Sequence, residues 1–156
     1  MEWTNTQRAL EEYAMTVRNL YQDKLILHDH IATGKLLNSV EYRIQRDNRE
    51  ICVNLSLDEC WKWVENDCKP HFPPMSAILK WIEAKPVLPS KPYDGKLPTQ
   101  PQLAYLIARK ISEVGTKGTH DLQDSIKETL VHYEARIEEA ITQDVDAELA
   151  IIMSMF

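Results

Sequence analysis

Apolar residues recur every three to four positions across residues 5–31. Leu10, Tyr13, Ala14, Val17, Leu20, Tyr21 and Leu25 form one stripe, with Arg8, Glu11, Glu12, Arg18 and Gln22 mainly off it. That period predicts a long amphipathic helix over 5–31. Thr33-Gly34 is the expected stop, glycine supplying the left-handed turn. The period then drops to two. In Val40-Glu41-Tyr42-Arg43-Ile44 apolar and charged residues alternate, and Ile51, Val53, Leu55 and Leu57 share one face of a second run. Alternation of this kind predicts two half-buried strands, and Arg46-Asp47-Asn48-Arg49 between them is a polar hairpin turn.

Helical spacing returns after Asp58, which is placed to cap a short helix over 59–66 carrying Cys60, Trp61, Trp63 and Val64. Lys69-Pro70-His71-Phe72-Pro73-Pro74 excludes helix, because proline lacks the donor and restricts its predecessor. Pro74 suits the first turn of the next helix, whose apolar face is Met75, Ile78, Leu79 and Ile82. Pro86 ends it. Five of the chain's eight prolines fall in 86–101, which predicts a long surface loop. Thr99 and Pro101 open a helix over 101–114 with Leu103, Leu106, Ile107, Ile111 and Val114 expected inward, and Gly115 stops it. Thr119 or Asp121 caps a last long helix with the stripe Leu122, Ile126, Leu130, Tyr133, Ile137 and Ile141.

The expected fold is therefore α+β. A small antiparallel β-sheet (hairpin about 38–57) packs against several helices, with long helices at both ends. One domain over 1–145 carries the Pro-rich loop at 86–101, and 146–156 form an apolar tail. A length of 156 residues fits a single domain. No apolar run reaches the roughly 18–20 residues of a bilayer span, and the polar start is not that of a signal peptide. A net charge of -6 argues against gripping nucleic acid, which needs a concentrated basic footprint. The charge is uneven. Residues 119–156 hold nine acids and two bases, a net of -7, which leaves +1 for the rest.

Four arrangements could carry chemistry. Cys52, Cys60, Cys68 and His71 can be drawn as four zinc ligands, but no pair has the two-to-four-residue spacing that aims two thiolates at one ion. An odd cysteine count argues for reduced thiols over a disulfide framework. His28 and His30 lie two residues apart, about 200° on a helix, so both cannot face one ion while the segment stays helical. Their expected task is capping the helix end. Glu65 and Asp67 could act as an acid–base pair, yet no nucleophile or histidine stands beside them in an interpretable motif. Trp61, Trp63, Trp81, Phe72 and Tyr93 concentrate aromatic surface. That suits a stacking platform or, more often, core and interface anchors. No catalytic residue, cofactor or metal is assigned.

The order of motifs resembles the tail-completion, or neck, proteins of tailed bacteriophages. Ala32-Thr33-Gly34-Lys35-Leu36-Leu37-Asn38-Ser39-Val40 is similar to their entry into a hairpin. An aromatic segment running into acid follows (Trp61-Lys62-Trp63-Val64-Glu65), then Lys69-Pro70 and Pro73-Pro74-Met75-Ser76-Ala77-Ile78 through Trp81-Ile82 to Lys85. Leu103-Ala104-Tyr105-Leu106-Ile107-Ala108-Arg109-Lys110-Ile111 and Gly115-Thr116-Lys117-Gly118 complete it, so the likeness spans about residues 10–141. Asn66-Asp67-Cys68 departs from the glycine-basic turn usual before Lys-Pro in that family.

The resemblance implies a non-enzymatic virion protein, made in the host cytoplasm and placed in the neck. It implies a ring of its own copies, twelvefold or sixfold, between portal or adaptor and tail rings, with DNA passing through unbound and no membrane contact. The acidic segment 119–148 would face the channel or a basic neighbour. Candidate contacts between subunits are Trp61, Trp63, Lys91, Tyr93, Lys96, Ile151, Ile152, Met155 and Phe156. Two other readings use the same residues. One is a small intracellular protein–protein adaptor unrelated to phage. The other is a nucleic-acid or metal-dependent enzyme built on Cys60, Cys68 and His71.

Overall fold

The computed structural model describes residues 3–47, 50–88 and 96–156. Six helices and a two-stranded antiparallel sheet follow in chain order: α1 (Thr4–Leu27), α2 (Lys35–Ser39), β1 (Glu41–Arg46), β2 (Ile51–Ser56), α3 (Trp61–Glu65), α4 (Met75–Ala84), α5 (Gln100–Val114) and α6 (Asp121–Met153). The α+β architecture with long first and last helices is the one the periodicities predict. The hairpin turn at Asn48-Arg49 and the loop's centre, with Lys91 and Tyr93, lie outside the described residues.

α1 and α6 form an antiparallel pair that is the spine of the molecule. The N-terminal end of α1 meets Asp144 of α6, Thr16 meets Tyr133, Lys24 meets Glu128 and His28 meets Asp121. Ala14, Val17, Tyr21 and Leu25 supply the buried face of α1, as its stripe predicts, with Ala9 buried beside them and Leu10, Tyr13 and Leu20 half-buried. α6 differs. Besides Asp121 and Asp144, its buried positions are Leu122, Ser125, Thr129 and Ala140, while Leu130 and Ile141, expected inward, are 44% and 38% exposed. Each of these two lies one residue, about 100°, beyond a small buried neighbour. The small side chains let the two helices approach closely, so the contact seam runs through Ser, Thr and Ala.

The hairpin lies against α1 with Tyr42 opposite Leu55 and Ile44 opposite Val53. Its entry shows what the Thr33–Val40 motif does physically. Gly34 takes a left-handed conformation (φ 73°) and starts α2, which buries Leu36, and Val40 is buried just beyond. The Ser39 hydroxyl donates to the Leu36 carbonyl and accepts the Asp58 N–H, both at 2.8 Å, tying entry to exit. Lys35 pairs with Asp58 at 2.6 Å. The Cys60 side chain and then Lys35 hold the Asp58 carboxyl down at about 2.

α4 and α5 pack on each other. The Thr99–Gln102 capping box and Pro101 set the start of α5, as the sequence implies. The face of α5 is shallower than expected. Ala104 and Ala108 are fully buried, whereas Leu106 and Val114 are 50% and 60% exposed, because α4 covers only one side.

Both long helices have their N-termini capped by a carboxylate from another element. The Asp144 carboxylate accepts four hydrogen bonds of 2.8–3.1 Å, from the backbone N–H and side chain of both Asn5 and Thr6. Burial pushes Asp144 up, but the bonds from Thr6 and Asn5 outweigh it and hold the carboxyl below its ordinary value. At α6, the buried Glu65 carboxylate accepts the N–H groups of Leu122 and Gln123, each at 2.9 Å. These are the second and third helical donors that a local cap residue normally satisfies.

Beside that cap the backbone of 115–118 runs against 64–70. Cys68 and Thr116 exchange backbone hydrogen bonds of 2.8 and 3.0 Å, the Thr119 N–H donates to Val64 O, and the Gly118 N–H donates to Asp67 Oδ1 at 2.8 Å. Glu65 and Asp67 are thus both engaged with backbone N–H groups.

Candidate functional site

The described site residues fall at two ends of the spine and in a groove beside α5. At the α6 N-terminal end, Trp61 is half-buried against the Tyr21–Leu25–Leu36–Val40–Leu122 core, while Trp63, two residues on, is 67% exposed. The expectation that the pair could not both face inward is met. Trp63 and Trp81 line one cleft of ≈ 440 Å3 with His30, Leu36, Cys60 and Val64. At the other end, α6 runs on past the Asp144 clasp without a break at 145/146. Leu149, Ile151, Ile152 and Met153 there are 45–77% exposed, and Met155 and Phe156 are exposed beyond them. The apolar 146–156 segment is therefore mostly helix, and it is not docked on the described residues. The 33 residues of α6 put roughly 50 Å between the two patches. Lys96 borders the third place, a ≈ 730 Å3 groove formed with Leu97, Pro98, Tyr105 and Leu106.

The acidic character of α6 is less uniform than its sequence. Asp121 and Asp144 are buried, and Glu128 pairs with Lys24 at 2.8 Å. Glu134, Glu138, Glu139 and Asp146 are exposed.

The cysteine–histidine set does not assemble. Cys52, Cys60 and Cys68 are free, and among the described residues they do not gather with His71 into a group of metal-binding donors. Burial, and then Glu50, raises the Cys52 thiol; burial and then Asp58 push Cys60 up to about 11. A raised thiol is the opposite of what a nucleophilic or ligating thiolate needs.

A different cluster does assemble, one that the spacing argument set aside. α1 ends at Leu27, not at Ile31, and Asp29 adopts a left-handed conformation (φ 55°). The Asp29 N–H donates to Ile26 O and the His30 N–H to Leu25 O, the paired bonds of a Schellman turn with aspartate in the place usually held by glycine. The turn breaks the helical phase on which the 200° separation of His28 and His30 rested. Both imidazoles turn toward Asp121, the first residue of α6. His28 Nδ1 lies 2.9 and 3.0 Å from the two carboxylate oxygens, and His30 Nε2 lies 3.9 Å from Oδ2. Thr119 Oγ1 donates to Oδ2 at 2.7 Å. Burial pushes Asp121 up, yet the bonds from His28 and Thr119 prevail and hold it low. Burial lowers His30 despite the nearby Asp121 charge. The Lys85 ammonium is held beside the Asp29 carbonyl and carboxylate, closing the turn from α4.

No described helix is long and apolar enough to cross a membrane. No family model, curated protein or solved structure matches the chain.

Proposed function

We propose that this chain is a structural, non-enzymatic subunit of a ring in the head–tail connector of a tailed bacteriophage. The observation that carries the reading is the continuation of α6 beyond Asp144 with Leu149, Ile151, Ile152 and Met153 exposed. A helix that projects apolar side chains past its own packing partner is suited to another chain. A second, unlike apolar patch at the opposite end of α6, around Trp63 and Trp81, supports a ring in particular. Cyclic rings grow through head-to-tail contacts that join two different surfaces, whereas a two-fold dimer joins one surface to itself. Exposed tryptophan is also the side chain most often found at the energetic centre of an interface. The exposed acids of α6 fit a conduit, where repulsion keeps phosphates from adhering. The order of motifs over residues 10–141 supplies the phage assignment itself.

Deleting residues 149–156 separates folding from assembly. The shortened chain is expected to melt within about 2 °C of the full one, since the removed side chains are exposed. Supplied in place of the full chain, it is expected to be missing from completed particles. Normal incorporation of the shortened chain would remove the α6 projection from the contact.

A further inference from the structure

We infer that His28, His30 and Asp121 form a binding site for one divalent first-row transition ion, zinc being the best match to the donor set. One nitrogen from each imidazole and one carboxylate oxygen lie within 4.8 Å of one another. Two imidazoles and a carboxylate are a ligand set for zinc that leaves one or more positions open.

Four features of the site favour an ion over a simple hydrogen-bonded cluster. First, His30 Nε2 is buried with no hydrogen-bond partner. A buried ring nitrogen left unpaired is a rare and unfavourable arrangement that needs a reason. Second, the separations bracket those of an occupied site. Ligands at about 2.0–2.1 Å from a tetrahedral ion stand about 3.3 Å apart. From the one oxygen Asp121 Oδ2, His28 Nδ1 stands at 3.0 Å and His30 Nε2 at 3.9 Å. Opening the first by about 0.3 Å and closing the second by about 0.6 Å brings both nitrogens to a ligand's separation from that oxygen. Third, the carboxylate is already oriented from behind. Thr119 Oγ1 donates to Asp121 Oδ2 at 2.7 Å, the kind of outer hydrogen bond that positions a metal ligand. Fourth, the site is reachable, because the His28 side chain is 43% exposed and His30 lines the cleft shared with Trp63 and Trp81.

An ion here would join the end of α1 to the start of α6 across 93 residues of chain. The task is that of a staple between the two spine helices and requires no catalysis.

The test uses the full-length chain, stripped with chelator and titrated with zinc chloride by calorimetry. One equivalent should bind, with a rise in thermal midpoint. His30→Ala leaves the His28–Asp121 bond in place and should weaken binding at least tenfold, while His71→Ala should not change it. Imidazole nitrogen NMR of the wild-type chain gives the same answer without a variant, since zinc should move the signals of His28 and His30 alone among the five histidines. Absence of a stoichiometric site overturns the inference. So does zinc binding that survives His30→Ala, or zinc-dependent shifts at His71, His120 or His132.

Discussion

Alanine at Gly115 is expected to lower the unfolding free energy by about 3 kcal/mol or more, the largest effect of a glycine-to-alanine change among the described residues. Two causes act together. Gly115 sits at φ 72°, ψ -161°, a region that essentially only glycine occupies. A β-carbon built there would stand 2.1 Å from the Cys68 carbonyl oxygen, which is backbone and cannot swing aside. Relieving that clash means parting the two strands of backbone that exchange the Cys68–Thr116 hydrogen bonds. Two further glycines separate the causes. At Gly118, whose conformation is ordinary, a β-carbon would meet Glu65 O at 2.2 Å, so alanine there tests close approach alone. At Gly34, with φ 73°, a β-carbon would come no nearer than 3.4 Å to a neighbour, at Asn38 Nδ2, so alanine there tests the left-handed conformation, at about 1 kcal/mol. Urea unfolding midpoints of the three variants should rank Gly34→Ala as mildest. Equal losses at all three would mean that the backbone clasp adds nothing.

Removing the Glu65 carboxylate is expected to cost about 2–3 kcal/mol, most of it at the start of α6. Glu65→Ala strands the N–H groups of Leu122 and Gln123 at a site with little access to water, since Glu65 and Leu122 are 6% and 8% exposed. It also removes a negative charge from the positive end of a 33-residue helix. Glu65→Gln keeps one acceptor and should lose roughly half as much. Hydrogen exchange locates the effect. In Glu65→Ala the amides of the first turn of α6 should exchange faster, while those near Asp144 keep their protection. A uniform loss of protection, or none, would contradict a capping role.

These two residues show where the sequence was informative and where it was not. The stripes of α1 and α4 and the alternation of the hairpin are local patterns, and they placed those elements well. Glu65 was visible as an acid behind an aromatic segment, but its partners lie 57 and 58 residues away, and no local period encodes that contact. The small-residue seam of α6 was missed for a related reason. Ser125 and Thr129 do not register as apolar, yet close helix packing selects them over Leu130. The His28–His30–Asp121 cluster was hidden by one capping residue. Gly34 is the stronger stop signal, so the turn at Asp29 was not foreseen, and with α1 drawn through Ile31 the two histidines diverge. Asp29 itself is the one local cue that could have revealed it, because aspartate tolerates the left-handed region better than most residues. Asp121 could not have been paired with them from spacing at all.

The candidate interface divides in the same way. That one of Trp61 and Trp63 is exposed followed from helical phase, because the two cannot share a face, but phase did not say which. The projection of α6 did not, since an apolar run at 149–156 reads equally as a docked segment or a free one until the position of α1 is known.

Membership of a connector ring is checked by counting copies. Quantitative mass spectrometry of purified particles, scaled to the portal protein, is predicted to give one copy per portal subunit or a simple fraction such as one half. Absence of the chain from purified particles would contradict the claim.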